Sequence, residues 1–463
     1  MIPPLPPSLA YGVPAPADHN ALTHLLTQAF VAPPQAESSY IRNFGLDQFR
    51  VLRQGSQILG TLALIPMGQW YGGRRVPIVG VASVAIAPEH RSQGRGVALM
   101  EAALGEMQQQ GTALSVLYPA TQRLYGKVGY GPGGSRWGWT LATAGLRLGS
   151  PPLSVYPLDI PPNLPLSGLT AWEGNRVEPR SPQSPNGSAL DNGSALDNGS
   201  ALDTNPDLGL AIDPGATTLQ TLQRLYQAYA RHHNGPLDRA WGLWRSRLNP
   251  AQPKALYGYG LGTPSQPQGY VMFSQHRSPV PAQIAAQIAP QIAAQIAIED
   301  WAYTSPEAGL SLWAFLGSMG SQIQGITWWG GAIDPLTLLL PELALQPHGY
   351  QRWFLRLVNL PAALTARGYP PGLAGELHLK VTDALLPANQ GSWILTLDRG
   401  QGQVTPGGRG DVQIAIDSLA SLYSGFLTAH QLQSLGQVTG SSQSLAWASQ
   451  VFGGPAPWMP DLF

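Results

Sequence analysis

Cysteine is absent from all 463 residues, which removes disulfides, thiolate zinc sites, iron–sulfur clusters and cysteine nucleophiles together. Charge is scarce as well. Charged residues make up 11% of the chain, against about 25% in an average soluble protein. The 26 Lys and Arg balance 26 Asp and Glu, and a net charge of zero speaks against gripping nucleic acid or an anionic membrane. No apolar run reaches the ~18–20 residues of a membrane-spanning helix. The opening Met1-Ile2-Pro3-Pro4-Leu5-Pro6-Pro7 has neither the basic start nor the apolar stretch of a signal peptide, so a cytoplasmic location is expected. No metal is expected either, because His232 and His233 are adjacent and do not share a helix face as i, i+4 ligands would.

What is present is apolar and aromatic. Hydrophobic residues are 43% of the chain and Trp alone numbers 14, enough to fill several cores. At about 100–200 residues per domain the length suggests three domains. Two low-complexity insertions interrupt the chain, at 180–206 and 282–297. The first carries Asn-Gly-Ser-Ala-Leu-Asp three times and has too few apolar groups to offset its ordering entropy. The second places Ile284, Ile288, Ile292 and Ile296 four apart, interrupted by Pro290; it reads as an expanded hairpin loop, with an amphipathic docking helix as the alternative.

The first 146 residues alternate strand and helix signals, which makes a mixed α/β (α+β) sheet domain. Asp18 precedes Leu22, Leu25, Leu26, Ala29 and Phe30, N-cap chemistry ahead of a one-faced helix. Strands are expected at 49–54, 57–66 and 76–87, then a helix whose face is Val97, Met100, Leu104 and Met107, ended by Gly111. A strand at 113–117, a short helix near 122–126 and a strand around 137–141 complete the domain. Residues 147–350 repeat the rhythm with a helix at 217–232, strands at 269–273 and 298–303, and a further helix. From 351 to 463 the expected strands are 376–383, 393–397 and 411–416, the last feeding a helix.

The informative stretch is Val84-Ala85-Ile86-Ala87-Pro88-Glu89-His90-Arg91-Ser92-Gln93-Gly94-Arg95-Gly96-Val97. A strand ends, a short loop follows, and a helix opens through Arg-x-x-Gly-x-Gly. Glycine at 94 and 96 lets a diphosphate approach the backbone, and the first helical turn aims its N–H groups and the positive end of its dipole there. Arg91 adds a charge-assisted donor. The spacing differs from both the dinucleotide Gly-x-Gly-x-x-Gly and the P-loop.

This stretch resembles the acetyl-CoA pyrophosphate loop of the GNAT (GCN5-related) N-acetyltransferases. A second signature, Leu117-Tyr118-Pro119-Ala120-Thr121-Gln122-Arg123-Leu124-Tyr125-Gly126 with Gly129-Tyr130-Gly131, is similar to the Eis (enhanced intracellular survival) branch. Trp353-Phe354-Leu355-Arg356-Leu357, running on to Gly368-Tyr369, resembles the opening of that family's sterol-carrier-protein-like domain, and the chain ends on Phe463 as members do. The resemblance implies tandem GNAT-like domains, an acetyl-CoA-binding one at 1–146 and a degenerate one at 147–350. A sterol-carrier-like domain at 351–463 follows, in a chain that assembles as a homohexamer. Only the first domain is expected to bind acetyl-CoA, since the join at 301–309 has no Arg-x-x-Gly-x-Gly.

The resemblance also implies roles. The main-chain carboxylate of Phe463 would be the base and Tyr125 the general acid, while Tyr130 reads as packing. Val84, Ala85 and Ile86 would bind the pantetheine, Arg91 and Ser92 through Val97 the diphosphate, and Ala120 and Thr121 the cofactor from the neighbouring strand end. Tyr40, Tyr118, Trp244 and Asp461 are the candidate acceptor-binding residues. The chain departs from the pattern in three places. It reads Ala29-Phe30-Val31-Ala32 where an acidic residue is expected, Leu462 is not acidic, and Tyr118 replaces a histidine. These departures bear on polycation preference and not on acetyl transfer. The expected activity is transfer of acetyl to amines of aminoglycoside-like or polyamine small molecules. The alternatives are a protein lysine or N-terminal acyltransferase and a non-catalytic acyl-CoA sensor.

Overall fold

The computed structural model describes residues 2–143, 146, 148–160, 218–249, 255–279, 292–340 and 345–463; the insertion expected at 180–206 lies outside them. β1 (Ala10–Gly12) precedes α1 (His19–Phe30), which buries Leu22, Leu25 and Leu26. Asp18 stands at the N-cap but does not cap. Its carboxylate accepts from the Ala15 amide at 2.7 Å and pairs with Arg53 at 2.6 Å. A helix with no counterpart in the expected pattern, α2 (Pro34–Phe44), follows; it buries only Ile41 and so carries no apolar periodicity. β2 (Phe49–Gln54), β3 (Gln57–Tyr71) and β4 (Arg74–Ile86) form an antiparallel meander. β3 continues past Pro66, its expected end, because Met67 and Tyr71 are buried on it. α3 (Arg95–Gln109) buries Leu99, Met100, Ala103, Leu104 and Met107, and then come β5 (Leu114–Leu117), α4 (Gln122–Lys127) and β6 (Gly131–Ala142).

The middle segment contains β7 (Val155–Pro157), α5 (Thr218–Ala230), β8 (Leu237–Asp238), α6 (Trp241–Leu248), β9 (Leu256–Thr263) and β10 (Gln266–Pro279). β11 (Ile292–Tyr303), α7 (Pro306–Ser318), β12 (Ile323–Gly330) and β13 (Leu345–Leu357) complete it. β11 corrects the last part of the reading of 282–297 as loop, residues 282–291 lying outside those described. Residues 292–297 are strand, antiparallel to 274–279 of β10, and 294–297 run parallel to β12. A spacing of four is two periods of a strand as well as nearly one turn of a helix, so the isoleucine repeat satisfies both. Ile296 and Ile298 are buried accordingly.

The two halves exchange strands. β13 lies between β5 and β6 of the first domain, pairing Phe354–Leu357 with β5 and most of its length with β6. β6 also pairs through residues 137–142 with β12. One 13-stranded sheet results, and β13 runs across the expected boundary at 350/351.

The last segment contains α8 (Leu360–Ala366), β14 (Gly375–Thr382), β15 (Gly391–Asp398), β16 (Gln401–Pro406) and β17 (Val412–Ala415). α9 (Ile416–Ser424), α10 (Ala429–Ser434), β18 (Val438–Gly440) and α11 (Ser442–Val451) follow. Its five-stranded sheet has the order β16-β15-β14-β17-β18. The core of this domain is continuous with that of the first: Leu22, Ile65 and Val116 belong to the same cluster as Leu379, Leu419 and Leu445. Among the described residues no helix is long and apolar enough to cross a membrane.

Arg356, on β13, ties first and last domains. It is fully buried, pairs with both oxygens of Asp383 at 2.7 Å and donates to the Val128 carbonyl at 3.1 Å. Removing one partner of a buried pair leaves an uncompensated charge, at a cost of about 3–5 kcal/mol. Arg356→Met is therefore expected to lower unfolding stability by about that amount in a denaturant titration. A change below about 1 kcal/mol would show that the pair does not hold the domains.

Candidate active site

β4 and β5 are parallel neighbours only where Ile78–Gly80 face Leu114–Val116. Beyond Gly80 they separate, while β3 follows β4 on its other side as far as Ile86. The separation begins at a bulge. The β3–β4 register shifts between Thr61 and Ala63, opposite Ser83, which adopts φ +52°. A bulge bends its strand, and this one swings the end of β4 out of reach of β5. Val84, Ala85 and Ile86 thus lie on an edge with no strand partner on the β5 side among the described residues. An edge of this kind accepts an extended ligand as an added strand. Ala120 and Thr121 are exposed between β5 and α4, across the opening.

The loop after β4 turns through two left-handed residues, Ser92 at φ +63° and Gly94 at φ +75°, before α3 begins at Arg95. A Cβ on Gly94 would meet nothing within 4 Å, so glycine serves the backbone conformation and leaves open space beside it. A Cβ on Gly96 would lie an ordinary 3.5 Å from Leu124. The first bond of the helix ladder runs from the Ala98 amide to Gly94, so the amides of Arg95, Gly96 and Val97 are unspent at the positive end of a helix of 15 residues. The buried Nε of Arg95 has no partner among the described residues. Arg91 turns back instead, donating from Nε to the Ile86 carbonyl at 3.2 Å. Space, amides and an unpaired guanidinium nitrogen together suit a diphosphate.

The end of the chain crosses from the last domain to this opening. The Trp458 amide donates to the Asn234 carbonyl at 3.0 Å, and the Tyr118 hydroxyl donates to the Met459 carbonyl at 3.0 Å. Arg136 donates to the Pro460 carbonyl at 3.3 Å. Asp461 is buried and held by Arg239 Nε, 2.9 Å from Oδ1, and by Arg247 Nη2. Arg239 also forks onto both oxygens of Asp300 at 2.7 and 2.8 Å. Phe463 then packs at the apex of the strand separation: a Cβ on Gly80 would lie 2.7 Å from its ring. Beside this tail is a cavity of about 290 Å³, lined among others by Arg136, Trp301, Trp328, Trp329, Asp461 and Leu462.

Tyr125 is buried, and burial pushes its phenol up to about 12. Tyr130 packs against it at 6.1 Å, with its own hydroxyl 2.7 Å from Ser115. The four expected acceptor-binding residues are differently placed. Tyr40 sits beside Phe44 of its own helix, packs α2 onto Phe49 of β2, and does not line the cavity. Trp244 lies behind the wall, 5.8 Å from Tyr226 and 4.8 Å from the Arg239 guanidinium. Tyr118 pins the tail. Asp461 does line the cavity, but both its oxygens are taken by Arg239, so it offers no open carboxylate to an ammonium group. Arg136, Arg239, Asp300 and the Trp328–Trp329 pair were absent from the sequence-based set. The double tryptophan and the acidic Glu299-Asp300 were the available signals, but neither carries a local motif.

The middle domain has a second strand separation, and it is filled. β11 and β12 pair only at 294–297 with 323–327. Trp301, Trp313 and Trp328, all buried, occupy the space with ring centres 5.5–5.9 Å apart. The helix that follows is capped by Ser305, whose hydroxyl accepts from the Ala308 amide at 3.2 Å. That cap takes an amide that an open loop would leave for an anion.

Open strand edge, unspent helix amides and adjoining cavity define an acyl-CoA-dependent transferase built from tandem acetyltransferase folds. The comparisons agree. Acetyltransferase (GNAT) domain models match residues 14–133 and 235–357, and a sterol carrier protein domain model matches 360–460. A GCN5-related N-acetyltransferase from Anabaena variabilis is 34% identical, with a TM-score of 0.81 over 98% of this chain and 100% of that one. An uncharacterized N-acetyltransferase of Streptomyces avermitilis is 26% identical over 85% of this chain and 83% of its own. The N-acetyltransferase Eis of Mycobacterium tuberculosis is 23% identical over 87% of this chain and 85% of its own. The chain belongs to the GCN5-related N-acetyltransferases and is Eis-like, a family whose members take acetyl-CoA as acyl donor.

Burial alone would raise the Asp461 carboxyl, but Arg239 and Arg247 hold it below the ordinary carboxylate value. A depressed pKa contributes stability that is present above the unfolded value and lost as pH falls through the folded one. Docking of the tail is therefore expected to persist from neutral pH to below pH ~4. Asp461→Asn removes the charge at every pH. It is expected to speed hydrogen exchange of the 455–463 segment about tenfold or more at pH 7, read by mass spectrometry. Unchanged exchange would show that the tail is held by its other contacts.

Proposed function

We propose that this chain acetylates a primary amine of a small molecule, with the Phe463 carboxylate as base and Tyr125 as acid. The class implied by the resemblance is aminoglycoside-like or polyamine. The observation that carries the reading is that the tail lining the cavity continues directly to Phe463 at the apex of the β4–β5 opening. Thioester and amine would then meet where the chain brings its last residue.

In this reading the pantetheine pairs with Val84–Ile86, and the Ile86 N–H faces the thioester oxygen as charge develops on it. Ser92–Val97 and the Arg95 side chain hold the diphosphate, with Arg91 closing the strand end. The amine lone pair attacks the carbonyl carbon and forms the C–N bond. A proton passes from the nitrogen to the Phe463 carboxylate, the C–S bond breaks, and the sulfur receives its proton from Tyr125. A free α-carboxyl has a pKa of about 3.3–3.7, weak for this task, so desolvation at the apex or a relaying water must assist it. Because burial raises Tyr125, it stays protonated throughout the neutral range and is always in the donating form. Its hydroxyl makes no bond among the described residues that would compete, whereas that of Tyr130 is spent on Ser115.

Tyr125→Phe is expected to lower kcat by about 10²–10⁴, in the range of general acid catalysis, with the KM for acetyl-CoA little changed. Tyr130→Phe should cost far less. Appending a few residues after Phe463 is expected to abolish thiol release from acetyl-CoA while binding persists. Equal turnover with the extension would remove the carboxylate from the mechanism. Run over aminoglycosides, diamines and lysine peptides, the same assay separates the acceptor classes; binding without turnover on any of them would favour an acyl-CoA sensor. The implied homohexamer predicts a particle of six 49.3 kDa chains by light scattering.

A further inference from the structure

The charges around the cavity do not suit a polycation. Of its three carboxylates, Asp300 and Asp461 are bound to Arg239, and Arg247 adds a second cation, 3.8 Å from Asp300 and bonded to Asp461. Those four groups close on themselves and sum to zero. Glu299 accepts from the Ser274 hydroxyl at 2.7 Å, and the Arg247 guanidinium donates to its main-chain carbonyl.

Arg136 is different. It lines the same cavity, is 6% exposed, and has no carboxylate within ion-pair distance among the described residues. Its guanidinium carbon lies 4.4 Å from the centre of the Trp329 ring and 5.0 Å from that of Tyr118. Nε and Nη2 share the Gln351 Oε1 atom at 2.8 and 2.5 Å, and Nη1 reaches the Pro460 carbonyl at 3.3 Å. These bonds use three of five N–H donors, which leaves one hydrogen on each terminal nitrogen. Two donors left on a ring-braced guanidinium can serve a carboxylate. Burial pulls this guanidinium below its ordinary value, and the nearby Asp461 carboxylate offsets this only in part. The volume, about 290 Å³, lies at the lower end of ligand sites and suits a body of one ring beside the indoles.

We infer that the acceptor is a small aromatic or apolar amine that also carries a carboxylate, and that Arg136 binds this carboxylate while the amine faces the thioester. The inference rests on reading the cavity as the acceptor pocket of the acetyltransferase. It makes Arg136 the residue that sets preference between anionic and cationic acceptors.

Three acceptors on one skeleton test it: 4-(aminomethyl)benzoate, benzylamine and 1,4-bis(aminomethyl)benzene, which differ only in the para substituent. With the full chain and acetyl-CoA, kcat/KM for the benzoate is expected to exceed that for benzylamine by about tenfold or more, and the diamine to be poorest. In Arg136→Gln the benzoate-to-benzylamine ratio should fall to within about twofold, and Arg136→Lys should restore part of it. If Arg136 only props the Pro460 carbonyl, all three acceptors would lose alike and the ratio would survive, which overturns the inference. A wild-type preference for the diamine overturns it too, while leaving acetyl transfer intact. Calorimetry with coenzyme A present covers the case of no turnover. Tighter binding of the benzoate than of the diamine, lost in Arg136→Gln, would uphold carboxylate recognition by Arg136; equal binding would remove the inference.

Discussion

Arg239 is shut off from solvent and grips two carboxylates from distant parts of the chain, Asp300 on β11 and Asp461 in the terminal segment. The ring of Tyr226 lies 3.6 Å from its guanidinium carbon, and Tyr270 donates to Asp300 at 2.7 Å. Such a cluster is weak evidence for stability, because apolar side chains of the same volume would often fold as well. Its value is direction. An apolar tail could settle in several registers against this wall, but Arg239 and Arg247 together hold Asp461 in one. Once Asp461 is placed, Pro460 meets Arg136, Leu462 faces the cavity and Phe463 reaches Gly80. The approach of Pro460 to Arg136 and the terminal residue at the apex both follow from that one pairing.

The exchange of strands explains why the wall and the apex keep their spacing. β6 hands its last residues to β12, and β13 is enclosed by β5 and β6. Separating the two acetyltransferase folds would break ladders on both sides of β13, so they move as one sheet. Arg136 sits on β6 and Trp329 on β12, one from each fold, and their contact crosses this seam. A cavity built across a covalently continuous, hydrogen-bonded sheet has less freedom to reshape than one between docked domains.

What could be read from the sequence is what is local. Gly94 and Arg95 follow the unpaired strand end after a short loop, so the diphosphate loop appears as a contiguous pattern, and Tyr125 follows β5 on the next helix. The acceptor wall is not local: Arg239 meets Asp461 across 222 positions and Arg136 meets Gln351 across 215. Nothing in the neighbourhood of either arginine announces its partner. Two local readings meet distant partners. Asp18 precedes a helix and looks like its cap, yet Arg53, 35 positions on, takes its carboxylate. Trp244, a candidate for the cleft through the family resemblance, packs against the Arg239 guanidinium. The isoleucine repeat misled differently, because its period of four fits a strand as well as a helix and only pairing decides.

The two strand separations show what one fold does with an unpaired edge. Backbone groups beyond the last ladder bond need water, a ligand or packing around them. The first domain leaves its edge open and places uncapped helix amides beside it. The middle domain fills its opening with Trp301, Trp313 and Trp328 and spends an amide on the Ser305 hydroxyl. Filling it did not retire that domain. Trp301 and Trp328 each present one side to the plug and another to the cavity wall. The indoles that exclude a second acyl donor are therefore the ones that shape the acceptor's surroundings. Under the proposed function, donor recognition falls to the first fold and acceptor recognition largely to the second, with the tail from the third joining them.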